Sequence, residues 1–248
     1  MLNIEYLSRM KKHFPNTLTC CNLISGCIAT YWAFQADYQL ALLFVVIGAV
    51  FDFFDGFAAR LLHVSSPIGK ELDSLADDIT FGFAPAAVVY SMICSLSNET
   101  PLFGQLLVGQ ILPYAAFIMA AFSALRLAKF NLDERQTTTF IGLPTPANAL
   151  FWTSLAASIQ FNPELMPNEA YAALLIVGVL LASWLLVAEI PMFALKFKSY
   201  GWQGNELRYG FIAASILLLA ILGLTGFAAI IVLYILTSIA NNLYSDYK

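Results

Sequence analysis

Asp52-Phe-Phe-Asp55-Gly56-Phe-Ala-Ala59-Arg60 is followed, after eight residues, by Gly69-Lys70-Glu-Leu-Asp73-Ser-Leu-Ala-Asp77. Four aspartates fall within 26 residues of a chain in which only 11% of residues are charged. Apolar runs flank them, Ala41 to Phe51 before and Ile79 to Val89 after, so both halves read as membrane helices carrying acids. Carboxylates at membrane depth are costly and point to function. The helical period puts Asp52, Asp55, Gly56 and Ala59 on one face, because positions i, i+3, i+4 and i+7 are neighbours. Gly69, Asp73 and Asp77 share a face of the next helix by the same rule. If the two faces meet, four carboxylates converge in one small volume.

Like charges held that close repel one another, and a hard divalent cation removes the penalty. Carboxylate oxygens are the ligands that Mg²⁺, Mn²⁺ or Ca²⁺ prefer. Four acids can hold two such ions at roughly 4 Å, the arrangement used for in-line displacement at phosphorus. Gly56 and Ala59 leave space for a ligand pressed against the helix, and Arg60 offers a cation suited to phosphate oxygens. A proton or cation relay in a transporter would use the same acids and stands as the alternative from another functional class. A purely structural ion-pair network is poorly served, since Arg60 and Lys70 are the only nearby cations while Glu71 and Asp78 add negative charge.

Outward from this stretch the chain is apolar throughout: 60% of its 248 residues are hydrophobic, with a mean hydropathy of +0.75. That composition is membrane rather than soluble globular, and the net charge of −4 argues against nucleic acid as a partner. Hydrophobic runs predict helices at about 16–35, 39–62, 73–96, 105–129, 145–161 and 169–195. The last run, 208–242, is too long for one crossing, and Leu222-Gly-Leu-Thr-Gly226 is a natural break. The expected fold is therefore all-α, a polytopic bundle of about eight transmembrane helices. A cytosolic interfacial segment, 1–15, would precede a single membrane domain, 16–248. With the N-terminus inside, all twelve Lys and Arg residues fall in inward segments, whereas the outward loops carry Asp37, Glu99 and Glu164. The positive-inside rule thus puts both termini in the cytosol. Asp52 lies eight residues before Arg60, or roughly 12 Å along the helix, just below the inner surface. Cys20, Cys21, Cys27 and Cys94 lie in apolar segments without ligand spacing and read as packing residues.

The acid stretch matches, at every fixed position, the signature of the CDP-alcohol phosphotransferases, and the chain resembles that family over most of residues 13 to 160. Asp73 to Ala86, with Phe81-Gly82 and Ala84-Pro85 after the last acid, resembles the branch of the family whose acceptor is L-serine. So do Ala124 to Asn131, Phe140 to Asn148 and Pro15-Asn16-x-x-Thr19; Asn148 departs from the small residue expected there.

The resemblance implies an enzyme transferring the phosphatidyl group from CDP-diacylglycerol to the hydroxyl of L-serine, with release of CMP. It implies Mg²⁺ or Mn²⁺, two ions held by Asp52, Asp55, Asp73 and Asp77, with Asp77 doubling as general base. Asn16, Thr19, Gly56, Ala59, Arg60, Gly69 and Lys70 would bind CDP-diacylglycerol. Arg126 and Lys129, one turn apart, could clamp the serine carboxylate, with Asn131 beside them. A homodimer in the cytoplasmic membrane of a bacterium, its site facing the cytosol, is the expected setting. A relative using glycerol 3-phosphate is the alternative within the family.

Overall fold

The computed structural model describes residues 2–99, 111–133, 140–165, 170–193 and 201–246. The chain is a helical bundle whose only described sheet is a two-residue ladder. Helix α1 spans Leu2–Phe34 and α2 Tyr38–Leu61. Helix α3, Pro67–Asp77, runs through a π-helical turn, Asp78–Phe83, into α4, Ala84–Glu99. A 3₁₀ turn at Leu112–Ala116 leads into α5, Phe117–Leu132. Strand β1, Phe140–Ile141, precedes α6, Thr145–Phe161, and α7, Ala170–Val187. Strand β2, Pro191–Met192, is followed by α8, Glu206–Leu222, and α9, Thr225–Asp246.

Local chemistry sets most boundaries. Asp37 caps α2, its carboxylate accepting from the Leu40 amide at 3.1 Å. Ser66 caps α3 at 3.0 Å from the Gly69 amide, with Pro67 in the first turn where its missing N–H costs nothing. Gly223, at φ +56°, makes the turn between α8 and α9, so the long terminal run does divide at Leu222.

Other boundaries differ from the sequence reading. Helix α1 is unbroken from Leu2 through Pro15, so segment 1–15 and the first expected span form one helix. The third helix begins at Pro67 rather than near 73, because the Ser66 cap starts it two turns earlier. Helix α7 ends at Val187 instead of 195, since the chain turns to pair β2 with β1, Phe140 opposite Met192. Residues 105–110 of the expected fourth helix, and Arg135, Lys196, Lys198 and Lys248, lie outside the described residues.

Among the described residues, four helices are long and apolar enough to cross a bilayer: Tyr38–Leu61, Pro67–Leu96, Leu112–Leu132 and Thr225–Leu243. Tyr171–Val187 is apolar but shorter. The molecule is an all-α integral membrane protein, with Phe53, Leu61, Leu174, Trp184 and Ile221 on its outer surface as lipid contact allows.

Long-range contacts sort the connections into two ends. At one, the Tyr38 amide donates to Gln160 Oε1 at 2.9 Å and Gln160 Nε2 donates to the Ala36 carbonyl at 3.3 Å. At the other, Lys70 Nζ donates to the Asn131 carbonyl at 2.8 Å, β1 pairs with β2, and Asn242 Nδ2 donates to the Pro191 carbonyl at 2.6 Å. Among the described residues, the segments of Lys70, Asn131, the β1–β2 ladder and Asn242 thus gather at one end. The main apolar core, including Ala41, Leu42, Val88, Ile93, Trp152 and Val179, packs nearer the Gln160 end.

The π turn is the hub. It packs against α1, α5 and α6. Thr80, fully buried, donates to the Asn22 carbonyl at 3.0 Å. It sits in a notch between Gly26 of α1 and Gly48 of α2, where a Cβ on Gly48 would come within 2.5 Å of its methyl. Three helices are drawn together immediately beside Asp77.

Candidate active site

The i, i+3 spacing on α2 and the i, i+4 spacing on α3 do bring the acids together. One oxygen each from Asp52, Asp55 and Asp73 lies within 4.8 Å of the others. Asp77 completes the group from the other side, its carboxyl within hydrogen-bonding range of Asp52. Asp55 is buried and Asp52 and Asp73 are partly exposed, so the cluster is walled by protein on one side and open on the other.

Helix α1 orients two of these acids. Thr19, 3% exposed, reaches Asp55 Oδ2 at 2.5 Å and the Pro15 carbonyl at 3.1 Å. Its single proton belongs on the carboxylate, the shorter and charged partner. Fully buried Asn22 donates through Nδ2 to Asp77 Oδ1 at 3.1 Å. Asn22 was not singled out from the sequence, although Asn16, Thr19 and Asn22 recur every third residue at the start of an apolar run. That polar stripe was the available signal.

The open side faces a cleft of about 210 Å³ lined by Asn16, Thr19, Asp55, Gly56, Ala59, Ser66, Gly69, Lys70 and Asp73, among others. A Cβ on Gly56 would meet nothing within 4 Å, so its bare backbone is cleft wall. Gly69 serves close packing instead: a Cβ there would come within 3.0 Å of Ser66 Oγ and 3.1 Å of Asn16 Oδ1. Six of the seven residues expected to bind the donor line this cleft. Arg60 is exposed and lies outside its lining.

The three residues expected at the acceptor separate. Arg126 is 7% exposed, stacks over the Phe130 ring at 5.8 Å, and lies within electrostatic reach of Asp77 and Tyr234. Lys129 shares with Arg126 a small cavity of about 40 Å³ that Asp133 and Glu189 also line. Asn131 is committed elsewhere: its Nδ2 donates to Ser74 Oγ at 2.7 Å while its carbonyl accepts from Lys70.

Three converging carboxylates with a fourth alongside are a hard, all-oxygen donor set, and they fit a divalent cation. Like charges this close in a partly dry setting repel one another, and a divalent cation offsets that cost.

The fold and site together define a class: a polytopic helical membrane protein with an acid-lined cleft at one end of its bundle. The chain belongs to the CDP-alcohol phosphatidyltransferase family, which it matches over residues 12–237. It is 34% identical over 194 residues to the CDP-diacylglycerol–serine O-phosphatidyltransferase of Bacillus subtilis, covering 78% of this chain and 96% of that one. It is 31% identical over 186 residues to the protein of the same name in Mycobacterium leprae, covering 72% of this chain and 57% of the relative. The Saccharomyces cerevisiae protein of that name is 30% identical over 173 residues, with 63% of this chain and 58% of that one covered. The chain thus spans nearly all of the Bacillus relative and little over half of the other two.

Proposed function

We propose that this protein transfers the phosphatidyl group of CDP-diacylglycerol to the hydroxyl of L-serine, giving phosphatidylserine and CMP. The observation that carries the reading is the convergence of Asp52, Asp55 and Asp73 within 4.8 Å at a cleft walled by Gly56 and Lys70. Family membership and the three similarly named relatives support it.

In this reading the cleft holds the CDP moiety, Gly56 admits it against α2, and Lys70 lies beside its phosphates. Magnesium or manganese ions, two of them held by Asp52, Asp55, Asp73 and Asp77, would supply Lewis-acid polarisation of the diphosphate and offset charge on the departing CMP phosphate. Asp77 takes the proton of the serine hydroxyl as that oxygen attacks the lipid-side phosphorus. The bond from this phosphorus to the bridging oxygen breaks, and CMP leaves. Asn22 fixes the Asp77 carboxylate for proton transfer, and Arg126, near Asp77, takes the serine carboxylate. The basic end of the bundle faces the cytosol of a bacterial inner membrane, so the nucleotide arrives from water while the acyl chains stay in lipid. A homodimer is the assembly expected of the family resemblance.

The test is CMP release by purified protein given CDP-diacylglycerol and Mg²⁺ or Mn²⁺, with and without L-serine. Serine-dependent release abolished by a chelator is expected. Release driven by glycerol 3-phosphate alone would overturn the acceptor assignment, and ion flux without CMP would overturn the transferase reading.

A further inference from the structure

We infer that Glu189 is a specificity-determining residue for the acceptor, its carboxylate receiving the ammonium group of an amino acid whose own carboxylate lies on Arg126. This inference rests on the serine reading above and adds to it a partner for the group that serine has and a simple alcohol lacks.

The small cavity beside Arg126 is lined by charges of both signs. Arg126, Lys129 and Asp133 follow one another at i, i+3 and i+7 along the end of α5. Glu189 and Leu186 come from the end of α7 and the turn after it, and Ile141 of β1 completes the lining. A water needs about 10–15 Å³ of such space, so the cavity of about 40 Å³ takes about three. A group of a few heavy atoms fits there, and a polyol ring does not. Arg126 is 7% exposed, and its Nε has no hydrogen-bond partner among the described residues. A buried donor left unpaired is costly, and an acceptor oxygen brought by a ligand removes that cost.

Main-chain structure holds Glu189 at this cavity. The Leu143 amide donates to the Leu185 carbonyl at 2.9 Å, and the Gly142 amide to the Ile190 carbonyl at 3.0 Å. The acid is therefore pinned one turn before and one residue after its own position. Pro191, two residues on, pairs with Ile141 in the β1–β2 ladder. Gly142, at φ +77°, presses on the end of α7, where a Cβ would lie 2.5 Å from the Leu186 carbonyl oxygen. Helix α5 packs along α7, so both walls keep their spacing. Glu189 is exposed, and an incoming ligand meets it before it meets buried Arg126. Asp133 differs in origin: it lies four residues from Lys129 at the same helix end and is a near neighbour of that cation. Glu189 is the acid that a separate element carries to the cavity.

Charge sorts the acceptors that such a cavity suits. A phosphate-bearing alcohol brings negative charge alone and is opposed by Glu189 and Asp133. A neutral polyol gains nothing from either sign. An amino acid sets its carboxylate on Arg126 and Lys129 and its ammonium on Glu189, so it matches both. Arg126 also ties the cavity to the reaction centre, because Asp77 lies within its electrostatic reach. The hydroxymethyl group of a serine held this way extends toward the proton-accepting acid.

The experiment measures phosphatidylserine formation by the full-length protein at saturating CDP-diacylglycerol, comparing wild type, Glu189→Gln, Glu189→Asp and Asp133→Asn. The Michaelis constant for L-serine is set beside the inhibition constant of 3-hydroxypropionate, which is serine without its ammonium. Glu189→Gln should raise the serine constant about fivefold, as fits one ion pair at the solvent-open side of a cavity. The 3-hydroxypropionate constant should stay within about twofold or fall, since a nearby negative charge has been removed. Glu189→Asp keeps the charge on a shorter arm and should lie between; it supplies the same comparison if the glutamine variant fails to fold. An unchanged serine constant would overturn the inference. An equal rise for both compounds would overturn it too, marking Glu189 as a structural partner of the cavity's cations. A larger serine-specific rise in Asp133→Asn would move the ammonium to that acid and overturn the assignment to Glu189. Wild-type protein that makes no phosphatidylserine would overturn the parent reading as well, whereas serine-dependent formation with an unmoved constant overturns this inference alone.

Discussion

Thr19→Val tests whether α1 is part of the ion site. Valine keeps the shape of threonine and removes one oxygen, the one lying 2.5 Å from Asp55 Oδ2 in a position only 3% exposed. No water-filled space is made, so the lost interaction is not replaced by solvent. A hydrogen bond to a charged group contributes about 1.5–3 kcal/mol, equivalent to about 10- to 150-fold in an equilibrium constant. That energy fixes the orientation of the Asp55 carboxylate, which converges with those of Asp52 and Asp73. Removing a partner of this kind from a ligating carboxylate typically costs about 10- to 100-fold in metal affinity. The assay is Mn²⁺ activation of CMP release at saturating CDP-diacylglycerol and serine. The activating concentration should rise about 10- to 100-fold in Thr19→Val, with much of the turnover recovered at high Mn²⁺. Thr19→Ser, which keeps the hydroxyl, should stay within about threefold of wild type on the same scale. Thermal unfolding with and without Mn²⁺ gives a second readout, because an ion that binds the folded state raises its midpoint by an amount that grows with the logarithm of its concentration over Kd. An unmoved Mn²⁺ requirement in Thr19→Val would refute the reasoning and leave Thr19 as a wall of the nucleotide cleft.

Asp55→Asn and Asp73→Asn should each lower turnover by at least about 1,000-fold and weaken ion binding, read by CMP release and Mn²⁺-dependent thermal stabilisation, since each removes one charge from a shared hard-ligand set. Asp77→Asn should lose turnover comparably while CDP-diacylglycerol binding persists; wild-type activity would remove Asp77 as base. Gly48→Leu should destabilise the fold by about 1–3 kcal/mol or more, because a Cβ there already lies 2.5 Å from the Thr80 methyl, and a thermal midpoint equal to wild type would contradict that packing. For topology, single cysteines at Asp37 and Asn162 should react with an impermeant thiol reagent from the side opposite to cysteines at Lys70 and Asp133. Reaction of all four from one side would contradict the two-ended arrangement.

What was legible in the sequence was whatever a single helix encodes. The face shared by Asp52, Asp55, Gly56 and Ala59 follows from periodicity, and the structure keeps it. The division of the last run at Leu222–Gly226 follows from glycine chemistry, and Gly223 adopts the positive φ that makes the turn. Charge also pairs the segment of Lys70 with that of Asn131 and separates both from the Gln160 loop, and the contacts of Lys70 and Gln160 agree with that pairing. What was not legible depends on two or three helices at once. The π turn at Asp78–Phe83 has no local signal. It exists where Thr80 enters the notch between Gly26 and Gly48, a fit that α1, α2 and the turn make jointly. Asn131, expected at the acceptor, is held at α3 by Ser74 and by Lys70 of the donor cleft, because the end of α5 returns over α3. Arg60, expected to bind the donor, sits beyond the cleft as α2 ends.

Those joint features all bear on Asp77. It is the last residue before the π turn, it accepts from Asn22 of α1, and it lies within electrostatic reach of Arg126 of α5. A regular helix continuing past Asp77 would put position 81 on the acid face, and Phe81 would then stand where Asp77 meets the acceptor side. The i→i+5 turn rotates the following residues instead. Thr80 goes into the α1–α2 notch, Phe81 into the apolar cluster with Val45 and Ala149, and Gly82 against Ser123. In the proposed function the acid motif alone therefore specifies where ions and nucleotide would gather. The extra residue of the π turn is what lets the same helix offer Asp77 to a second, buried polar region, and a π turn at such a junction is the kind of departure from regular helix that marks working sites.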